Sequence, residues 1–528
     1  MAFKITVLFL VLCYVGWIYC DKPCAARLIK GESVVCVCNA TYCDDITREK
    51  PQNDTFIMYT STKGGARFEK VTGRLQNYKH VCAQDCIKTE FILEPNVRFQ
   101  EIVGFGGAVT DAAAINWMNL TDLQLRQSLI DSYFSASGLE YNMARVPIGG
   151  TDFSTHPYAY NELPVNDANL TNFSLNEEDN NYKIPMLNAI KRAVTAPLYV
   201  VATTWSPPRW MKTNGEWYGF TKLKHEYYET YALYHIRFLE QYFSHGIPVW
   251  AITTTNEPVN GDLFLSHFNC LGWTAGDMGF WIANHLGPML RNSTYRDVKI
   301  LSVDDQRLNV PYFFNLMVMK HKDALQYIDG IAVHYYTDFI VPPSVLDVVS
   351  KSYPDKFIIN TEACEGSQPW ERKKVILGSW ERAVRYIKDI ITDLNHNLVG
   401  WIDWNLCLNK DGGPNWAKNN VDSPILVFPE ANEFVKQPTF YALGHVSKFI
   451  QRGSRRIQCT ERKPLLAWPV DAVAVVTPGE ETVVVVMYSR DKKDKAIKIK
   501  LGDKQAELIL RGNSITTIEL PYKIKSSK

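Results

Sequence analysis

The stretch VWAITTTNEP at residues 249–258 opens with an apolar run and ends in an amide, a carboxyl group and a proline. A run of this length fits a buried strand, and Pro258 cannot donate a backbone hydrogen bond, so the strand should end there. A second stretch, FIINTEACEG at 357–366, has the same form, with Glu362 in the place of Glu257. The pattern predicts a carboxyl group at the C-terminal end of two buried strands.

Between about residues 96 and 450 the chain repeats this unit, a short apolar run followed by a longer helix-like stretch. Such alternation predicts parallel strands joined by helices. We count eight candidate strands, at roughly 101–110, 139–147, 197–204, 249–256, 298–304, 329–336, 356–362 and 398–404. Eight units predict an α/β fold, a closed (β/α)8 TIM barrel. An open doubly wound sheet is the alternative, but no strand is followed by a G-x-G-x-x-G phosphate loop.

The C-terminal part changes to short, β-branched segments separated by turns, at 471–477, 482–488, 495–501 and 506–519. This pattern is typical of antiparallel sheet. Residues 55–95 carry similar signals. We therefore predict a flanking β-sandwich built from residues 49–95 and 451–528, beside a catalytic barrel at 96–450.

The N-terminus has the form of a secretory signal, because Lys4 precedes an apolar run from Ile5 to Tyr19. We predict a signal peptide at residues 1–20; an uncleaved anchor is the alternative, although the run is short for a membrane span. Exposed asparagine sequons would fit an exported glycoprotein, and they occur at Asn39, Asn53, Asn119, Asn169, Asn172 and Asn292.

Four cysteines crowd into residues 21–48, as expected of a disulfide-rich segment in an oxidising compartment: Cys24, Cys36, Cys38 and Cys43. Zinc is the weaker alternative for a chain with an export signal. Cys82 and Cys86 could form another local bridge, whereas Cys270, Cys364, Cys407 and Cys459 are expected to be free.

The charge balance limits the class of partner. The chain has 57 basic and 56 acidic residues and no basic blocks, which argues against nucleic-acid binding. We expect no metal and no other cofactor.

Glu257 and Glu362 lie 105 residues apart, about three repeats of a (β/α)8 barrel, so they should face each other across its mouth. Two facing carboxyl groups are what glycoside hydrolysis requires. A separation of about 5–5.5 Å favours retention of configuration, and a wider gap favours inversion. Two salt-bridged surface glutamates are the structural alternative.

Longer segments point to a known family: SVVCVCNATYCD at 33–44, GFGGAVTDAAA at 104–114, WMKTNG at 210–215, DDQRL at 304–308, DWNLCLNKDGGPNW at 403–416 and KQPTFYALGHVSKFI at 436–450. In these segments, and from about Cys24 to Leu520, the chain resembles the glucosylceramidases of glycoside hydrolase family 30. The resemblance implies a retaining β-glucosidase that cleaves glucosylceramide. Another β-glycoside (a sterol or plant glucoside, or xylan) is the alternative substrate, and a non-catalytic sugar-binding protein is the alternative of a different class.

The resemblance also implies roles for single residues. Glu257 would be the acid/base and Glu362 the nucleophile of a covalent mechanism. The residues expected to bind the glucose are Asp111, Trp205, Asn256, Trp404 and Asn419. Arg145 and His334 would support the nucleophile, with a neutral core histidine as the alternative for His334, and Tyr335 or Tyr336 would shape the cleft or contact the nucleophile, with core packing as the alternative. The implied disulfides are Cys24–Cys36 and Cys38–Cys43.

The substrate class has consequences for partners and location. The resemblance implies a glycosphingolipid substrate, peripheral contact with anionic membrane, a saposin-type activator protein and a place in the lysosome, with secretion as the alternative. Candidate surface contacts are Trp210, Trp217, Tyr218 and Phe220, although core packing is the favoured interpretation of Trp210.

Overall fold

The computed structural model describes residues 21–78, 89–262 and 266–523. The predicted signal peptide and the possible Cys82–Cys86 bridge lie outside these residues. No helix within the described ranges combines the length and the apolar character needed to cross a membrane.

The chain begins with six strands: β1 (Ala26–Leu28), β2 (Val34–Asn39), β3 (Thr55–Thr62), β4 (Glu69–Arg74), β5 (Gln76–Asn77) and β6 (Thr89–Glu101). Disulfides Cys24–Cys36 and Cys38–Cys43 cross-link the segment around β2. The strand β6 continues to Glu101 within the sandwich sheet, so the barrel begins about five residues later than the predicted boundary.

Eight parallel strands then form a closed barrel: β7 (Gly104–Ala108), β8 (Met143–Ile148), β9 (Tyr199–Thr204), β10 (Val249–Thr253), β11 (Lys299–Gln306), β12 (Gly330–His334), β13 (Phe357–Glu362) and β14 (Leu398–Asn405). The predicted TIM barrel is confirmed, with a strand at each of the eight predicted places. An apolar layer fills its interior and includes Met143, Val201, Leu301 and Ile359. The polar residues at the C-terminal ends of the strands therefore stand above a solid floor.

The helices of the structure are α1 (Asp111–Met118), α2 (Leu123–Phe134), α3 (Ile184–Ala193), α4 (Tyr228–Ser244), α5 (Ala275–Trp281), α6 (Gly287–Arg291), α7 (Asn315–Lys320), α8 (Ser344–Ser352), α9 (Trp380–Asn395) and α10 (Pro438–Ser447). Side-chain caps start several of them. Thr110 accepts a hydrogen bond from the backbone N–H of Ala113, and Asp122 accepts one from Leu125. The helix α9 buries Ala383, Ile387 and Ile390 on one face, as the helical period requires.

Three short strands follow the barrel: β15 (Leu408–Asn409), β16 (Ile425–Phe428) and β17 (Glu433–Lys436). They join the N-terminal strands in one sheet of order β1-β2-β17-β16-β15. Cys38 pairs with Phe434, and Arg27 forms an ion pair with Glu433 at 2.6 Å. The predicted N-terminal segment is thus part of a sheet shared with the end of the barrel region.

Six strands complete the chain: β18 (Arg455–Arg462), β19 (Val470–Val476), β20 (Thr482–Ser489), β21 (Lys495–Leu501), β22 (Lys504–Leu510) and β23 (Ser514–Pro521). With β3–β6 they form a ten-stranded sheet of order β4-β3-β23-β20-β19-β18-β6-β21-β22-β5. The predicted sandwich from both ends of the chain is confirmed. The single strand predicted at 506–519 is wrong, because a turn at Gly512 and Asn513 divides it, and β18 was not predicted.

Candidate active site

Glu257 and Glu362 face each other at the mouth of the barrel. Glu362 is the last residue of β13, and Glu257 follows β10 by four residues with a positive φ of 43°. A carboxylate oxygen of each lies within 4.8 Å of the other and of a ring nitrogen of His334. The two residues are 9% and 6% exposed, so both carboxyl groups open onto the cleft while most of each side chain is buried.

Arg145, which β8 supplies, holds one side of this pair. Its guanidinium donates to a carboxylate oxygen of Glu362. Its Nη2 also donates to Asn256 Oδ1 and to Asp304 Oδ2, both at 2.9 Å. The guanidinium lies fully buried, 4.8 Å from the ring centroid of Trp205. Arg145 therefore contacts the predicted nucleophile, as the resemblance implies.

His334 lies between two carboxylates. Its Nδ1 is 3.0 Å from Glu257 Oε1, and its Nε2 is 3.1 Å from Asp304 Oδ1. Although burial opposes the charged form, Glu362, Asp304 and Glu257 raise the pKa of His334 to about 10. The two carboxylates therefore favour the charged form of His334, and His334 contacts the predicted acid/base, Glu257, directly.

Asp304 connects Arg145 and His334. It lies in β11 at φ 50°, and its carboxylate also accepts hydrogen bonds from Thr253 at 2.8 Å and Thr361 at 2.6 Å. Burial would raise the pKa of Asp304, but Arg145 and His334 outweigh it and hold that pKa well below its usual range. No role was predicted for Asp304 from the sequence.

Two further side chains orient Glu257. Gln306 donates to its Oε1 at 2.7 Å, and Asn260 donates to its Oε2. Beside them, burial and the charge of Glu257 raise the pKa of Asp305 to about 7.

The two tyrosines after β12 donate hydrogen bonds to different carboxylates. Tyr336 donates to Glu362 Oε1 at 2.7 Å, whereas Tyr335 donates to Glu365 at 2.7 Å, away from the pair. Burial raises the pKa of Glu362, and the charge of Glu257 acts in the same direction, while Arg145 and His334 oppose it. The charge of Glu257 therefore opposes the ionisation of Glu362.

Aromatic rings form one wall of a cleft of about 310 Å³. Trp205 and Trp404 stack with centroids 5.1 Å apart, and Asn256 also lines the cleft. Asn419 also lines the cleft and donates from Nδ2 to Asp152 Oδ2 at 3.1 Å. Four of the five predicted sugar contacts thus meet at one cleft.

Asp111 is not among the residues that line this cleft. It lies in the first turn of α1, where Ser154 and Tyr158 donate to its carboxylate and Lys183 is 3.8 Å away. Asp152 occupies the cleft instead, four residues beyond the end of β8. Burial and the charge of Glu362 raise its pKa to about 7.

Two of the four aromatic residues considered as surface contacts are exposed. Trp210 is buried and donates to the carbonyl of Asn161, whereas Tyr218 and Phe220 are exposed and Trp217 is half-buried.

A second buried charge cluster lies behind the mouth. Arg307 approaches three carboxylates, those of Asp338 at 2.6 Å, Asp389 at 3.6 Å and Asp393. Burial raises the pKa of Asp389 to about 6, despite Arg307. Three acids with one cation would strain this cluster at neutral pH.

Comparisons with known proteins agree with this geometry. Residues 102–450 match the glycosyl hydrolase family 30 TIM-barrel domain, and residues 453–518 match the family 30 beta sandwich domain. The chain is 41% identical over 492 residues to the lysosomal acid glucosylceramidase of Mus musculus, covering 92% of this chain and 93% of the relative. It is 39% identical over 459 residues to putative glucosylceramidase 3 of Caenorhabditis elegans, covering 86% of each.

A solved structure, SrfJ from Salmonella typhimurium, shares the fold, with a TM-score of 0.79 and 24% identity over 89% of this chain and 100% of that one.

Proposed function

The chain belongs to glycosyl hydrolase family 30, and on that premise we propose that it hydrolyses glucosylceramide to glucose and ceramide with retention of configuration. Relatives that carry the glucosylceramidase name align over nearly their whole length, which supports this substrate. Family membership makes the chain a glycoside hydrolase, and the geometry of the mouth supports the choice of residues.

One observation carries the proposal: carboxylate oxygens of Glu257 and Glu362 within 4.8 Å of each other. An inverting enzyme needs room for a water between its carboxyl groups, about 6.5–9.5 Å, whereas a retaining enzyme needs about 5–5.5 Å. The short separation supports direct attack by one carboxylate and a covalent glucosyl-enzyme.

The ion pair with Arg145 supports the division of roles, because it favours the negative charge that Glu362 needs as nucleophile, and the acid/base role then falls to Glu257. Glu362 then attacks the anomeric carbon while Glu257 donates its proton to the glycosidic oxygen, and ceramide leaves. Once Glu362 is esterified, Glu257 takes a proton from water, and the resulting hydroxide attacks the anomeric carbon and restores Glu362.

The cleft wall supports recognition of the sugar. Arg145 holds the oxygen of the Asn256 amide, so that its nitrogen is left to donate to the sugar 2-hydroxyl, where hydrogen bonds strengthen in the transition state. Asp152, oriented by Asn419, would accept from other hydroxyls, and the stacked Trp205 and Trp404 would contact the apolar side of the ring.

The biological setting follows from the substrate. We infer work in the lysosome at a membrane surface, with peripheral contact to anionic lipid and a saposin-type activator protein presenting the glycosphingolipid. The N-terminal disulfides and the exposure of all six sequon asparagines support passage through the secretory route.

The test uses the purified mature protein with detergent-dispersed glucosylceramide, an aryl β-glucoside and xylan. We expect cleavage of the first two and β-glucose as the first anomer seen by NMR. Glu362→Gln should abolish turnover, whereas Glu381→Gln, at an exposed carboxyl group, should not change it. Labelling with a cyclophellitol-type epoxide should modify the peptide that carries Glu362. An α-anomer product, or full activity in Glu362→Gln, would refute the mechanism.

A further inference from the structure

The two most exposed large apolar side chains of the described residues are adjacent on one loop of the sandwich, and an exposed tryptophan follows them. Leu465 and Leu466 are 94% and 95% exposed, and Trp468 is 64% exposed. Single exposed apolar residues are common on protein surfaces. Three within four positions indicate a surface that a membrane or another molecule covers.

The loop that carries them is held in shape. The N–H of Ala467 donates to the carbonyl of Pro464 at 3.0 Å and closes a turn. Lys463 donates to the carbonyl of Ala467 at 2.7 Å, and Lys495 donates to that of Trp468 at 2.6 Å. The leucines are thus presented to solvent by a fixed backbone, which lowers the entropy cost of binding.

The surroundings of the loop are basic. Residues 461–471 and 489–495 include six basic and four acidic residues, and Arg490 neutralises Asp471 in an ion pair at 2.5 Å. Lys492 and Lys493 are exposed at the same end of the sheet, because Val470 pairs with Ser489. An apolar tip inside a basic rim complements a bilayer that carries anionic lipid.

We infer that residues 463–469 form a membrane-docking loop, which inserts Leu465, Leu466 and Trp468 into an anionic bilayer. The docking itself does not rest on the proposed function.

The experiment is co-sedimentation of the mature protein with vesicles of phosphatidylcholine alone or with 30% phosphatidylserine, both free of glycolipid. We expect stronger binding to the anionic vesicles. The triple variant Leu465→Ser, Leu466→Ser, Trp468→Ser should raise the half-saturating lipid concentration by about tenfold or more, because it removes the apolar side chains that the loop inserts. Lys492→Glu with Lys493→Glu should remove most of the preference for phosphatidylserine.

Val97→Ser is the matched control, since Val97 is an exposed apolar residue, 45% exposed, at the other end of the same sheet. It should bind vesicles as the wild type does. All variants should hydrolyse a soluble aryl β-glucoside at the wild-type rate, which checks their folding.

Wild-type affinity in the triple variant, or an equal loss in Val97→Ser, would overturn the inference. Absence of wild-type binding to both vesicle types would also overturn it and would leave the loop to a protein partner. Failure of the proposed function would appear separately, as no cleavage of glucosylceramide dispersed in detergent.

Discussion

Replacing Asp304 with asparagine tests the charge arrangement beneath the two glutamates. The Asp304 carboxylate accepts four hydrogen bonds, two from the cations Arg145 and His334 and two from the hydroxyls of Thr253 and Thr361. An asparagine keeps the shape but can accept on only one side, because its NH2 group faces donors on the other. Thr361 can rotate, whereas His334 must give up its Nε2 proton or remain unpaired.

The magnitude follows from burial. Arg145, His334 and Asp304 have fully buried side chains, so water cannot replace the lost partner. Breaking a buried charge pair in this way costs about 3–5 kcal/mol. Because the same His334 orients Glu257, we expect kcat/KM to fall by about two to three powers of ten as well.

The assay compares apparent Tm and kcat/KM of Asp304→Asn with those of Asp297→Asn, an exposed aspartate just before the same strand. The control should match the wild type in both. If Asp304→Asn unfolded at the wild-type temperature and kept its kcat/KM, Asp304 would not organise the site, and our account of the charges would be refuted.

Three further predictions test separate parts of the structure. Asp152→Asn should lower kcat/KM for an aryl glucoside about a hundredfold, because the hydrogen bonds that Asp152 makes to sugar hydroxyls, together worth about 3 kcal/mol, are lost. Asp111→Asn should instead lower Tm and leave KM unchanged, and equal KM effects of the two variants would contradict the assignment of Asp152 to the cleft. His334→Gln removes a cation that favours ionised carboxyl groups, so the alkaline limb of the pH–activity profile should move up by about 1 pH unit, and a downward shift would count against a charged His334. Asp389 has a folded-state pKa raised to about 6, so its burial destabilises the fold increasingly from about pH 4 to pH 6. Asp389→Asn should abolish this loss of stability, which is on the order of 2–3 kcal/mol, and Tm should then vary less between pH 4 and 7. An unchanged dependence of Tm on pH would exclude the effect.

The barrel was predictable because its strands are buried on both faces. Such strands read as nearly continuous apolar runs, and the runs before Glu257 and Glu362 end at polar groups that only the mouth could accommodate. The strands of the sandwich were harder to predict from the sequence. The strand β18, RRIQCTER, is charged at both ends and half-buried, so it carries no apolar run, and the turn at Gly512 is too short to interrupt the β-branched pattern around it.

The predicted positions of site residues were accurate where the residue lies at the end of a strand. They were less accurate where the conformation of a loop determines the position of the side chain. Asp111 and Asp152 both follow strand ends, but Asp111 falls in the first turn of a helix and is taken up by Ser154 and Tyr158. Asp152 follows β8 by four residues, the same interval that separates Glu257 from β10. That interval was a usable signal. The position of His334 between two acids depends on side-chain directions that strand order alone does not determine.

The sheet pairings have a consequence for biosynthesis. The strand β2 pairs with β17, and β3 pairs with β23, which the ribosome makes some 400 and 450 residues later. Each of the two strands has one neighbour that is made nearby in the chain, β1 for β2 and β4 for β3, but its other edge stays unpaired until the C-terminal strand has been made. A premature stop anywhere before β23 would leave β3 open to foreign strands, so truncated chains should be retained by chaperones rather than secreted.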